Sequence, residues 1–333
     1  MGIDFTVFKG SAAGDIVQAT GHRDPGPTEA IVKLSHCGVC GTDELYRHTD
    51  MGLGHEGIGV IVEVGSAVES VSSFRVGDRV GMGWFHKFCG QCKSCLTGRQ
   101  NECPNSTAFG SADTDQGCFG TAVAWDVSAL FKIPDEIASE DAGPLICGGA
   151  TVWSPLYTAG LRAGDRVGIV GVGGLGHLAI QFASKMGLEA VVFSSSADKR
   201  DKAIEFGASE FHVTSGTDSL NSEAKVDVLL VTAGGGSDFT KFLPILSPGA
   251  KIFTLAASFD PIQLSPIHLN MSGLSIHGSL IASVASVQAM LAFAAKHGVR
   301  PQIEKFAMTP EGVTEAMEKL REGKMRYRGV LVV

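Results

Sequence analysis

Cysteine placement carries the first chemical signal in this chain. Four of its eight cysteines, Cys89, Cys92, Cys95 and Cys103, fall within fifteen residues, in the run from Phe88 to Pro104. Two-residue gaps let thiolates converge on one tetrahedral ion, and Gly90 and Gly98 permit the tight turns such a knuckle needs. A closed shell of four sulfurs leaves no open position for a substrate, so the expected occupant is a structural zinc. Paired disulfides and metal-free thiols are the alternatives. The regular spacing, in a chain without a secretory leader pattern, weighs against both.

The remaining chemistry is scattered. Cys40, His55 and Cys147 would make a catalytic zinc site with three protein ligands and an open fourth position. Asp43 is a natural acceptor for the second ring N–H of His55, and Glu56, next to the ligand, could approach the metal or relieve its charge. Cys37 and Cys118 read as small buried hydrophobes, although Cys37 lies near enough to Cys40 to rival it as a ligand.

A third signal is the G-x-G-x-x-G spacing of Gly171, Gly173 and Gly176, with Gly174 and Leu175 completing the turn. The spacing follows an apolar strand pattern and opens a helical one, the context of a dinucleotide site. Gly171 serves the tight turn, Gly173 the approach of the pyrophosphate and Gly176 the helix packing. About 20 residues on, an NAD site would carry an Asp or Glu. This chain has Ser194, Ser195 and Ser196 there, then Asp198, Lys199 and Arg200. Hydroxyls and cations suit a 2′-phosphate, so the expected cofactor is NADP(H), with Asp198 running against it.

The elements that must position these groups fall into two patterns. Up to about residue 145 the chain shows short β-branched runs, Ala30–Leu34, Ile58–Val64 and Ala122–Trp125, between turn signals, which predicts a barrel-like antiparallel region. From Asp165 strands and helices alternate, which predicts a parallel sheet covered on both faces. After Val284 come helices at Val287–Lys296 and Pro310–Arg321 and a strand at Gly329–Val333, expected to return to the first region. The fold class is α/β. At 333 residues with 44% hydrophobic content the chain can hold two cores. A net charge of −8 argues against nucleic acid and anionic membrane as partners, and no apolar run is long enough to span a bilayer. The residues Met1–Thr6 fit a myristoylation pattern, but Phe5–Phe8 reads better as a first strand. A reduced, cytoplasmic setting is expected.

Taken together these pieces resemble a known family. Cys37–Asp43, Gly54–Gly59, the Cys89–Cys103 lobe, Gln116–Gly120, Cys147–Trp153 and Gly171–Gly176 resemble, in order, the motifs of zinc-dependent medium-chain dehydrogenases/reductases of the alcohol dehydrogenase superfamily. Phe193–Ser196, Gly278–Ser283 and Arg326–Arg328 are most similar to the cinnamyl alcohol dehydrogenase branch. The resemblance implies a GroES-like catalytic domain (1–147 and 284–333) and a doubly wound Rossmann domain (148–283). It also implies an oxidoreductase with NADP(H) and two zincs per subunit, a homodimer through the Rossmann domains, and interconversion of small-molecule alcohols and aldehydes by hydride transfer in an interdomain cleft. By position, Cys40, His55 and Cys147 match the catalytic zinc ligands and Thr42 the hydroxyl that meets the substrate oxygen. Thr151, Thr232 and Arg328 match cofactor contacts, and Trp84 and Phe85 lie where pocket-lining residues occur. Two departures stand out. Only fourteen residues separate Cys40 from His55, several fewer than in the branch, and Leu45 replaces a proton-relay histidine, with His48 the substitute. The rival readings are a zinc-independent enone reductase, an NAD-dependent polyol dehydrogenase and a non-enzymatic zinc-lobe interaction protein.

Overall fold

The computed structural model describes residues 2–217, 220, 225–234 and 238–333. The chain divides into two compact units, Met1–Ala150 with Ala282–Val333, and Thr151–Ile281.

The first unit begins with an antiparallel hairpin of β1 (Ile3–Lys9) and β2 (Val17–Arg23). Its main sheet is built on β3 (Glu29–Val39), β4 (Gly57–Val64), β5 (Arg79–Met82), β8 (Ala122–Asp126) and β9 (Leu130–Lys132). Between β5 and β8 a small ladder of β6 (Phe85–Lys87) and β7 (Thr107–Ala108) carries the cysteine lobe. The eleven residues of β3 have β4 along one edge, while the other edge is shared: Glu29–Lys33 pairs with β8 and His36–Val39 is left for another strand. Trp125 on β8 is buried and donates from Nε1 to the Phe85 carbonyl at 3.1 Å, which ties the small ladder to the large sheet. Burying a side chain of that size contributes about 1.5–3 kcal/mol.

The second unit is a parallel sheet of β10 (Arg166–Val170), β11 (Glu189–Ser194), β12 (Glu210–Val213), β13 (Val226–Val231), β14 (Leu246–Thr254) and β15 (Ser275–Gly278). The spatial order β12-β11-β10-β13-β14-β15 reverses between β10 and β13, the switch point where open α/β sheets bind ligands. Val167, Ile169, Val191, Val192, Leu229 and Leu230 are buried, as the near-continuous apolar runs of a doubly covered sheet require. The four-residue β12 is too short to give a clear strand pattern in the sequence. Arg166 holds its start in register, reaching Glu189 and Glu210 at 2.6 Å each across three neighbouring strands.

The tail returns to the first unit. There β16 (Ile303–Ala307) pairs parallel with β17 (Arg328–Val332), and β17 takes the free half of β3. The sheet is therefore antiparallel except at this edge. The helix expected at Val287–Lys296 spans Val284–His297, because the Ser283 hydroxyl accepts from the Ser286 amide and Gly298, at φ 68°, ends it.

Candidate metal centres and nucleotide turn

Cys40, His55, Glu56 and Cys147 bring one donor atom each within 4.8 Å of one another, all inside the first unit. Cys40 ends the strand region of β3 in extended backbone and caps the short helix Gly41–Leu45. His55 and Glu56 enter β4 after Gly54, whose φ of 88° few other residues adopt. Cys147 comes from far along the chain, on a π-helical turn, Leu145–Gly149, after the helix Ser139–Pro144. Such turns push a side chain out of the regular helical array and recur at functional sites.

One carboxylate joins two of these ligands. Asp43 is fully buried, and its Oδ2 accepts from the Cys40 amide at 2.9 Å. Its Oδ1 accepts from the Gly54 amide and from His55 Nδ1, both at 3.1 Å. His55 Nε2 is thereby directed into the cluster, 3.5 Å from Cys147 Sγ. Two donors about 2.3 Å and 2.0–2.1 Å from one tetrahedral zinc stand about 3.6 Å apart, so the spacing fits. Thr42 lies beside them, its Oγ1 3.5 Å from Cys40 Sγ.

A buried ion pair backs the cluster. Glu56 Oε1 accepts from the Arg328 guanidinium, while Glu56 Oε2 and Arg328 Nε are buried without a hydrogen-bond partner. A Glu56 carboxylate oxygen, two thiols and an imidazole together make a donor set that a divalent cation would satisfy. The four donors shift one another's titration. The hydrogen bond from Cys147 holds the Cys40 thiol well below its usual range, with His55 helping, while the same contact and burial push Cys147 up. Burial opposes a charge on His55, but the Asp43 carboxylate outweighs it and raises the imidazole. Burial raises Glu56 against the pull of Arg328.

Other expected residues lie elsewhere. Cys37 is fully buried, and burial together with a contact to Cys118 raises its thiol well above the usual range. It is a core cysteine, not a member of the donor cluster. Phe85 packs into the core against Phe88, ring centroids 5.0 Å apart. Trp84 instead faces His55, at 5.6 Å and 85°, and Phe109, which sequence reasoning missed, covers the same imidazole at 4.7 Å and 42°. Leu45 is 49% exposed. His48 is exposed too, its Nδ1 3.5 Å from the Ala12 carbonyl rather than near Thr42's cluster. The shortened segment is tied down: Ser11 donates to the Arg47 carbonyl at 3.0 Å, Gly10 to Met51 at 3.1 Å, and Lys9 pairs with Asp50 at 2.6 Å.

The four lobe cysteines form the other cluster. Their sulfurs lie within 4.8 Å of one another, with separations of 3.5 Å (Cys89–Cys103), 3.8 Å (Cys92–Cys103) and 3.9 Å (Cys89–Cys95). Sulfurs about 2.3 Å from a tetrahedral ion stand about 3.8 Å apart, whereas a disulfide needs about 2.05 Å. All eight cysteines are free. Backbone amides of Gln91 and Cys92 donate to Cys89 and lower its thiol to about 6.

In the second unit the glycine turn links β10 to the helix Gly176–Lys185. Gly171 has φ 96°, and a side chain at Gly176 would strike the Gly171 carbonyl, so both positions need glycine. Around Gly173 the space is open, as a closely approaching phosphate requires. Thr232, at the end of the neighbouring β13, donates to the Val170 carbonyl at 2.8 Å and fixes the turn. Thr151 is buried near the start of the helix Ala150–Thr158. At the end of β11 Ser194 is buried and accepts from the Ser196 amide at 3.3 Å, Ser195 is exposed, and Ser196 and Lys199 are half-buried. Arg200 stacks over Phe211 at 4.9 Å beside a cavity of about 400 Å³.

Residues 26–135 match the family model for the alcohol dehydrogenase GroES-like domain, and residues 174–296 that for the zinc-binding dehydrogenase. An aldehyde reductase of Synechocystis sp. is 33% identical over 314 residues, covering 92% of this chain and 91% of that protein. Among solved structures, a cinnamyl alcohol dehydrogenase (CAD) from Sorghum bicolor superposes with a TM-score of 0.89 at 30% identity, covering 99% of this chain and 98% of that one. A CAD from Helicobacter pylori, complexed with NADP(H), superposes with a TM-score of 0.88 at 25% identity, covering 100% and 99%.

Proposed function

The chain belongs to the zinc-dependent medium-chain dehydrogenases/reductases of the alcohol dehydrogenase superfamily, and from that we propose an NADP(H)-dependent enzyme for a primary alcohol and its aldehyde. Its fold is the GroES-like and Rossmann pair of that family. The observation that carries the reading is the convergence of Cys40, His55 and Cys147, with a Glu56 carboxylate oxygen, on one point.

Zinc held there supplies Lewis acidity toward a carbonyl oxygen, and the nicotinamide supplies the hydride. Cys40, His55 and Cys147 hold the ion. Asp43 keeps the proton on His55 Nδ1 and so leaves Nε2 as the donor. Thr42 would relay a proton between the substrate oxygen and the ribose hydroxyls and solvent, taking one as it gives one, and the exposed His48 lies outside that path. Glu56 and Arg328 form a neutral buried pair, so the pocket's charge is set by the thiolates and the ion alone. Gly171, Gly173, Gly174, Leu175 and Gly176 cradle the pyrophosphate, Thr151 and Thr232 support the nucleotide, and Ser194, Ser195, Ser196 and Lys199 take the 2′-phosphate. The second zinc, at Cys89, Cys92, Cys95 and Cys103, holds the lobe.

No described helix is long and apolar enough to cross a membrane. Eight free thiols suit a reducing, cytoplasmic setting, and the free edge of β15 with exposed Met271 and Leu280 suits a homodimer. The test is NADPH oxidation with a panel of aldehydes, with zinc quantified on the same sample. Cys40→Ser is expected to abolish turnover. Full aldehyde reduction by that variant would overturn the reading, and a preference for NADH in kcat/KM would overturn the cofactor assignment.

A further inference from the structure

The cysteine lobe and the reactive pocket share one hairpin. Its legs are β6 and β7, paired Phe85 with Ala108 and Lys87 with Thr107, and the lobe is the segment inserted between them. One residue beyond each leg the ladder continues, the Phe109 amide donating to the Trp84 carbonyl at 2.8 Å. These two residues are the ones whose rings touch His55, and they also touch each other, 5.6 Å apart at 62°. Tyr46 backs Phe109 edge-on at 5.2 Å, and a side chain at Gly110 would run into the Tyr46 ring.

The imidazole needs such support. Asp43 fixes one ring nitrogen, but one hydrogen bond leaves the ring free to tilt about the line to the carboxylate. A tilt would swing Nε2 out of the cluster it shares with Cys40 and Cys147. Two aromatic rings against the imidazole at 42° and 85° oppose tilting in different directions. Their own placement depends on the hairpin, and the hairpin closes on the lobe.

We propose that Trp84 and Phe109 are positioning residues for His55, and that through them the Cys89–Cys103 lobe sets the geometry of the reactive metal centre. This rests on the assignment of Cys40, His55 and Cys147 as metal ligands. The lobe then has two roles: it stabilises its own segment, and it holds an orienting clamp on a ligand of the other site.

The experiment follows zinc leaving the fully loaded protein into a chromogenic chelator, with no substrate or nucleotide present. Two release phases are expected, and Cys40→Ser identifies the reactive-site phase by removing it. Phe109→Ala and Trp84→Ala should speed that phase about tenfold and leave the lobe phase alone, as loss of outer support does elsewhere. Phe109→Leu, which keeps most of the bulk, should bring it back within about threefold of the parent, and carries the test if the alanine variant fails to fold. Cys95→Ser should abolish the lobe phase and speed the other. If the aromatic variants change neither phase, or both equally, the positioning role is wrong while the ligand assignment stands. An unchanged reactive-site phase in Cys95→Ser would refute the link to the lobe. Two intact phases in Cys40→Ser would instead refute the ligand assignment itself.

Discussion

The lobe and the reactive pocket are built from the same element, cysteine, in opposite ways. In the lobe four like donors come from one short run, and backbone amides support Cys89 and Cys95. In the pocket the donors differ in kind and come from positions 40, 55, 56 and 147, with Asp43 and Arg328 as buried partners. A closed shell needs only local spacing. An open one needs a fold, because each donor must be held by something other than the ion if a position is to stay free. Spacing therefore labels the family, and the dispersed set is where we propose its chemistry.

The sharpest way to break this contrast is to remove one cysteine from each cluster. Cys40→Ser should lower kcat/KM by about 10³-fold or more with little change in Tm, since it removes the electrophile and not a folding staple. Cys95→Ser should do the reverse in stability, lowering Tm by about 10 °C or more, because structural zinc binding is folding free energy. Equal effects of the two on both readouts would erase the distinction. Next in size is the ion pair behind the pocket. Arg328→Met should destabilise by about 3–5 kcal/mol in denaturant unfolding, and adding Glu56→Leu should recover most of it, because the first change strands a buried carboxylate. If the double variant is no more stable than the single, the pair is not the coupled unit described.

Asp43→Asn should weaken zinc at the reactive site by about 10–100-fold in competition titrations while the lobe keeps its metal. Ser194→Asp should cost about tenfold in kcat/KM for NADPH relative to NADH, by setting a carboxylate against the 2′-phosphate. The smallest effect is expected at His48: His48→Ala should change turnover by no more than about twofold, as surface substitutions do. A large loss there would return the proton path to the shortened segment.

Much of this was legible in the residues themselves. The lobe could be read because its information is local, and the alternating strands and glycine turn because each spans a few residues. Asp43 can be paired with His55 because it lies three residues from Cys40, inside the first ligand motif. Phe109 could not, since its neighbour His55 is distant in sequence and an isolated Phe carries no spacing signal. Nor could the contact of Glu56 with Arg328, which requires β17 to lie along β3 at the end of the chain. Phe85 packs into the core while Trp84, just before β6, faces His55, and two adjacent aromatics carry no pattern that says which of them meets the pocket. His48 was a candidate only by its nearness in sequence, and the anchoring of residues 46–51 to residues 9–14 takes it to the surface.

Zinc K-edge absorption fine structure on the fully loaded protein, with zinc counted independently, tests directly whether one chain holds two zinc sites of different composition. Four sulfurs at one site and two at the other predict two zincs per chain and an average of about three sulfur neighbours per zinc, the balance nitrogen and oxygen. One zinc per chain with about four sulfur neighbours would leave the lobe alone with a metal and rule out a zinc at Cys40, His55 and Cys147.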